Sequence, residues 1–159
     1  MSIEDDIECF ERVPTLALLG REALRILAIG AENRSVPSGE VLCRQGQAAD
    51  AGYVVQEGTF ALTRAGESDA AGRTVGRGAI ISELALLVDS QCAFTATARE
   101  PSTVTRIPRT LFVKMLEGFP EAAARLRDNL LAQAEQAGRD MRSLRGRLGG
   151  AAEQADPDE

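Results

Sequence analysis

The sequence predicts an α+β domain, mainly β, in which short strands form a sandwich or barrel between helical ends. Three observations predict it. Apolar residues recur at helical spacing up to about residue 30 and again beyond residue 109. Between residues 34 and 107, short runs rich in Val, Ile, Thr, Phe and Tyr alternate with closely spaced glycines. Strands punctuated by turns at such intervals are the mark of an all-β core. The length of 159 residues suits one domain, large enough to remove about 70% of its unfolded surface from water.

At the N-terminus, Phe10, Val13, Leu16, Leu19, Leu24 and Leu27 set a helical part over residues 10–31. Glu22–Ala31 reads as one helix, and Pro14 starts or kinks a shorter turn before it. In the β region (34–107), strands are expected near 40–44, 53–57, 59–64, 73–76, 94–99 and 103–107. Ala65–Gly72 has no apolar periodicity and reads as a flexible hairpin loop. Ser82–Leu87 reads as a short helical turn inside the β region, with Ser82 as N-cap. An anion at its N-terminus and a plain corner connector are both open as reasons for it.

Residues 109–118 read as a short helix carrying Leu111, Phe112, Met115 and Leu116, ended by Gly118. A long helix follows over 120–148, with Pro120 and Glu121 suited to its first turn. Leu126, Leu130, Ala134, Ala137, Met141, Leu144 and Leu148 step by four or three residues, an a/d seam. The seam can lie on its own β-domain or pair with a second copy. Because its latter half is long enough to project, a homodimer through Leu130, Ala134, Ala137, Met141 and Leu144 is expected. Residues 149–159 read as a disordered acidic tail.

Composition excludes several function classes. Histidine is absent, so no Ser-His-Asp or Cys-His triad and no His-containing metal site can form. Cys9, Cys43 and Cys92 are scattered without a CxxC pair, which argues against a structural zinc. No nucleophile–base pairing is identifiable, so an enzyme is not expected. The net charge of −6 is opposite to that of a free-standing duplex-DNA binder, and no DNA partner is expected. No apolar run approaches a membrane span, so no membrane partner is expected. An acidic N-terminus and an odd number of cysteines fit a reducing cytoplasm.

Two motifs carry a family resemblance. The first is Val36-Pro-Ser-Gly-Glu-Val-Leu-Cys-Arg-Gln-Gly46, followed by Ala49-Asp50 and Tyr53-Val54-Val55-Gln56-Glu57-Gly58. Its glycines stand where a chain of short strands must turn sharply. The second runs from Ile81-Ser82-Glu83-Leu84-Ala85-Leu86-Leu87 to Gln91-Cys92-Ala93-Phe94. Together they resemble the cyclic nucleotide-binding domain family over roughly Phe10 to Leu148. The resemblance implies a jelly-roll-like β-roll of about eight strands, flanked by an N-terminal helix, a short cassette helix and two C-terminal helices. It also implies a ligand site at the phosphate-binding cassette formed by Ser82, Glu83, Leu84, Ala85, Cys92 and Ala93. In that family the Glu accepts from ribose hydroxyls and the backbone amides meet the phosphate. No cofactor is implied, only a cyclic nucleotide as ligand.

This sequence departs from the family pattern. Gly52 replaces an apolar strand residue, and Ser82 replaces a Gly. Cys92 stands where nucleotide-binding members carry a phosphate-pairing Arg, Gln91 replaces a Pro, and Phe94 replaces a small Ala. Ala137 and Gly138 fall where the catabolite activator has a polar pair. Losing one partner of a desolvated charge pair costs about 2–5 kcal/mol, so ordinary cAMP binding is expected to be weak or absent. Arg44, Arg77 and Arg99 are either substitutes for the lost Arg or solvated surface charges. Cys92 is either a responsive thiol or a small hydrophobe. The reading adopted is a regulatory sensor that binds a cyclic nucleotide or related small anion and signals to a protein partner. The alternative is a nucleotide-independent, dimeric protein-interaction module. A transcription factor is disfavoured, since the sequence stops soon after the long helix.

Overall fold

The computed structural model describes residues 2–66 and 72–155, with side chains through Ser143. The chain opens on helix α1 (Ile3–Glu11), which a capping box starts: the Ser2 hydroxyl accepts from the Asp5 amide, and the Asp5 carboxylate accepts from the Ser2 amide. The sequence reading begins the helical part at residue 10 and passes over this Ser-x-x-Asp signature, a variant of the usual Ser-x-x-Glu. Helix α2 (Pro14–Ala17) starts on its proline, and α3 (Arg21–Gly30) follows. Their buried faces carry Ile7, Phe10, Leu16, Leu24 and Leu27. These pack with Phe112 and Met115 of α4 (Arg109–Gly118) and with Ala122 and Leu126 of α5 (Pro120–Ala155). The two ends of the chain thus share one helical core.

Ten strands are present among the described residues. One sheet has the order β1 (Glu32–Val36), β10 (Ser102–Pro108), β4 (Ala51–Glu57), β7 (Ile80–Ile81). The other has the order β2 (Val41–Cys43), β9 (Thr95–Ala98), β5 (Phe60–Thr63), β6 (Arg73–Val75). A short ladder joins β3 (Ala48–Ala49) to β8 (Ser90–Gln91). All the pairings are antiparallel. A second core fills the β-roll with Val36, Cys43, Val55, Phe60, Leu62, Ile81, Cys92 and Val104. With so few aromatic residues, small and aliphatic side chains supply most of that packing. β1 escapes the sequence reading because Glu32, Asn33, Arg34 and Ser35 are all exposed and polar. The hairpin loop expected over Ala65–Gly72 connects β5 to β6, and its residues 67–71 lie outside the described residues.

Two glycines are needed for packing. Gly58 turns β4 into β5 at φ +92°, and a Cβ there would collide with Ser102. At Gly52 a Cβ would meet Leu86 at 3.0 Å. The departure from an apolar residue at position 52 therefore lets the turn carrying Leu86 lie directly on β4.

A polar thread, buried except at Asn33, ties α1 to the first sheet. Gln56 Nε2 donates to Thr105 Oγ1 at 2.7 Å, and that hydroxyl donates to Asn33 Oδ1 at 2.8 Å. Asn33 in turn bonds Asp6, whose Oδ1 has no partner among the described residues. Burial pushes the Asp6 carboxyl up from its ordinary value, partly opposed by Asn33.

The last helix corrects one boundary. The sequence reading stops it at Leu148 and makes residues 149–159 a disordered tail, but α5 continues through Gly149-Gly150 to Ala155. Ala151, Ala152, Glu153, Gln154 and Ala155 are good helix formers that carry it past the glycine pair. Residues 156–159 lie outside the described residues. Ala122 and Leu126 are buried and Leu130 half-buried, whereas Ala134, Ala137 and Met141 are exposed. The side chain of Leu144 lies outside the described residues.

Candidate functional site

The cassette begins where β7 delivers Ser82 into a 3-10 turn, Glu83–Leu86. Ser82 sits at φ 62°, ψ 44°, the left-handed region, and is the one non-glycine residue there among the described residues. It stands at the N-cap position expected from sequence, but its side chain makes no capping bond. An L-residue in this region costs about 1–2 kcal/mol, which explains why glycine suits the position. The Ser82 hydroxyl instead donates to Cys92 Sγ at 3.7 Å.

The far end of the turn is tied down by Arg109, the first residue of α4. Its Nη1 donates to the Val88 carbonyl at 2.8 Å and its Nη2 pairs with Asp89 at 2.5 Å. Its backbone amide donates to the Asp50 carbonyl at 2.8 Å. One residue therefore joins the cassette, the β3–β4 bend and the start of the C-terminal helices. The sequence reading gave Arg109 no role, since its partners, backbone carbonyls and the Asp89 carboxylate, are distant in the chain.

The turn walls a cavity of about 260 Å³. Ser82, Glu83, Leu84 and Ala85 form one side, Ala93 and Phe94 another, and Leu62 and Arg73 the side toward β5 and β6. Five of the six expected cassette residues are brought together here. Cys92 is not among the lining residues. Its amide donates to the Gln47 carbonyl at 2.8 Å, and its side chain turns into the β core at 5% exposure. There it neighbours Cys43, whose thiol is pushed up to about 12 by burial first and by Cys92 second. Of the two readings of Cys92, the small buried hydrophobe is the one this environment favours.

Glu83 Oε1 accepts from Thr15 Oγ1 of α2 at 3.0 Å. A carboxylate offers about four lone-pair sites, so Oε2 keeps its capacity to accept. The arginines singled out from sequence do not line the cavity. Arg77 lies by Cys9, Arg99 follows β9, and Arg44 is exposed with its amide donating to Gln47 Oε1 at 3.1 Å. Arg73 lines it instead. Its ladder partner is Leu62, and directly paired residues share a face. That alternation signal was available in the sequence but needed the β5–β6 register. The Phe94 ring has the Arg64 guanidinium 4.7 Å and the Arg73 guanidinium 5.7 Å from its centroid. Ala137 and Gly138 lie on the exposed part of α5 and do not line the cavity.

A second hollow of about 290 Å³ lies between the turn and α5, lined by Thr15, Glu83, Leu87, Phe112, Leu130 and Gln133. Beside it Leu84, Val88 and Leu131 are exposed, at 62%, 48% and 56%. No helix among the described residues is long and apolar enough to cross a membrane.

The model of the cyclic nucleotide-binding domain matches residues 33–119, more than half of the chain. A cAMP-dependent protein kinase regulatory subunit of Yarrowia lipolytica is 31% identical over 106 residues, covering 67% of this chain and 28% of that one. The chain spans less than a third of the length of the curated relatives it matches. A cyclic nucleotide-binding-like protein of Brucella abortus superposes with a TM-score of 0.63 at 37% identity, covering 71% of this chain and 98% of that one. The N-terminal domain of a transcriptional regulator of Streptomyces coelicolor superposes with a TM-score of 0.74 at 25% identity, covering 84% and 94%. The cassette turn, the two-sheet roll and these matches agree, and the chain belongs to the cyclic nucleotide-binding domain family.

Proposed function

We propose that this chain is a regulatory sensor domain whose cassette cavity takes a cyclic nucleotide or related small anion and passes its state to a protein partner. The observation that carries this reading is the cavity under the 3-10 turn, with Glu83 on one wall and Arg73 on another. It offers an acceptor for hydroxyls and a cation for an anion, which supports a binding role. Three buried free thiols suit the cytoplasm as its compartment.

Thermal melting with cAMP, cGMP and cyclic dinucleotides tests the reading. A ligand that binds only the folded state stabilises it by RT ln(1 + [L]/Kd). A dose-dependent rise in Tm, absent in Glu83→Ala, is expected. No rise with any of them at millimolar concentration contradicts it.

The exposed half of α5 supports a homodimer through Leu130, Ala134, Ala137, Met141 and Leu144. Sedimentation at tens of micromolar should show a dimer, and Met141→Asp with Leu144→Asp should show monomers. A monomeric wild type overturns that part.

The second reading is a nucleotide-independent protein-interaction module. It is favoured by Cys92 lying in the β core and by the exposed Leu84, Val88 and Leu131 beside α5.

A further inference from the structure

The cassette lacks its family's cation at position 92, yet the cavity is not without positive charge. Arg73 lines it from β6. Among the described residues Arg73 makes no ion pair. Its guanidinium and that of Arg64 both lie against the Phe94 ring. The ring face itself favours a cation at this place. Phe94, which as a replacement for Ala looks like an obstruction, is therefore a platform that orients an arginine at the cavity rim.

The opposite requirement comes from Glu83, which is acceptor-only when ionised. A ligand that satisfies both walls carries hydroxyl donors and an anionic group. The volume of about 260 Å³ lies just below the roughly 300–1,000 Å³ of clefts that bury a drug-sized molecule. It encloses a portion of sugar-phosphate size and leaves any larger group toward the open side.

We propose that Arg73, held on the Phe94 ring, is the anion partner of the cavity in place of the residue at position 92. This rests on the reading of the cavity as a ligand site. The guanidinium enters from β6 rather than from the cassette, so the anion sits toward the Phe94 side.

Calorimetric titration of cAMP into the full chain tests it, at low and at moderate salt, for wild type, Arg73→Gln and Arg73→Lys, with Arg44→Gln as a surface control. Melting curves establish that each variant is folded. Arg73→Gln should weaken binding at least tenfold, about 1.4 kcal/mol, and flatten its salt dependence. Arg73→Lys should keep most of both, and Arg44→Gln should change neither. Wild-type binding that Arg73→Gln leaves intact, or weakens with the salt dependence unchanged, overturns the role of Arg73 while the ligand site stands. Absence of wild-type binding at millimolar cAMP overturns the cavity reading and this proposal with it.

Discussion

Thr15 Oγ1 donates to Glu83 Oε1 at 3.0 Å across a separation of 68 residues. This bond links the N-terminal helices to the one carboxylate that lines the cassette cavity among the described residues. Thr15 is 7% exposed, so the bond is sheltered on its helical side. It fixes the direction of Glu83 and leaves its second oxygen able to accept a further hydrogen bond.

Thr15→Val keeps the shape and removes the donor. Hydrogen bonds to charged groups are worth about 1.5–3 kcal/mol when buried, and Glu83 is half-exposed, so a loss of about 1 kcal/mol is expected by denaturant unfolding. Cyclic nucleotide affinity should fall severalfold, because Glu83 is no longer oriented. Unchanged stability and affinity would show that the bond does neither job.

Ser82 holds a left-handed backbone without capping anything. Ser82→Gly should raise stability by about 0.5–1 kcal/mol through relief of that strain, less the small loss of its contact with Cys92. Ser82→Val should lower it, since a β-branched residue fits this region poorly. Thermal melting of the two variants decides it. A less stable glycine variant would place the hydroxyl–sulfur contact above the strain.

Both strain and turn were legible in part. The two motifs give the roll, the cassette and its position, because glycine turns and a Ser-Glu-Leu-Ala run are local patterns. What the sequence hid is long-range. Arg73 joins the site only through the β5–β6 register, and Arg109 joins it through backbone carbonyls and Asp89, twenty residues away. Cys92 sits at a cassette position, yet its side chain belongs to the β core with Cys43. α1 was missed because its start is marked by Asp rather than Glu. β1 was missed because four of its five residues face water.

Asp6 should make stability depend on pH. Its carboxyl is raised above the ordinary value of 3.8 by burial. The folded state therefore binds the proton more tightly than the unfolded chain, and stability falls as pH rises from 3.8 through the raised value. Asp6→Asn should be more stable than wild type at pH 7 by about 1 kcal/mol, the low end for an unsatisfied buried group. The difference should vanish below pH 3.8, where the wild-type residue is protonated in both states. A gain that persists at low pH would assign the effect to packing.

The cysteines should be silent in the folded protein. Cys9, Cys43 and Cys92 are free and buried, and burial raises the thiols of Cys9 and Cys43. Thiolate is the reactive form, so a thiol reagent at pH 8 should label none in the native state and three after unfolding. Rapid native labelling of Cys92 would revive the reading of a responsive thiol.

The central claim is that the cavity beneath the cassette turn is a ligand site read by Glu83. Calorimetry of wild type and Glu83→Ala with cAMP and cGMP tests it most directly. The account predicts saturable binding to the wild type on the order of micromolar to millimolar Kd, reflecting the missing cassette arginine, and its loss in Glu83→Ala. Binding that survives Glu83→Ala, or no binding of either nucleotide to the wild type, would contradict it.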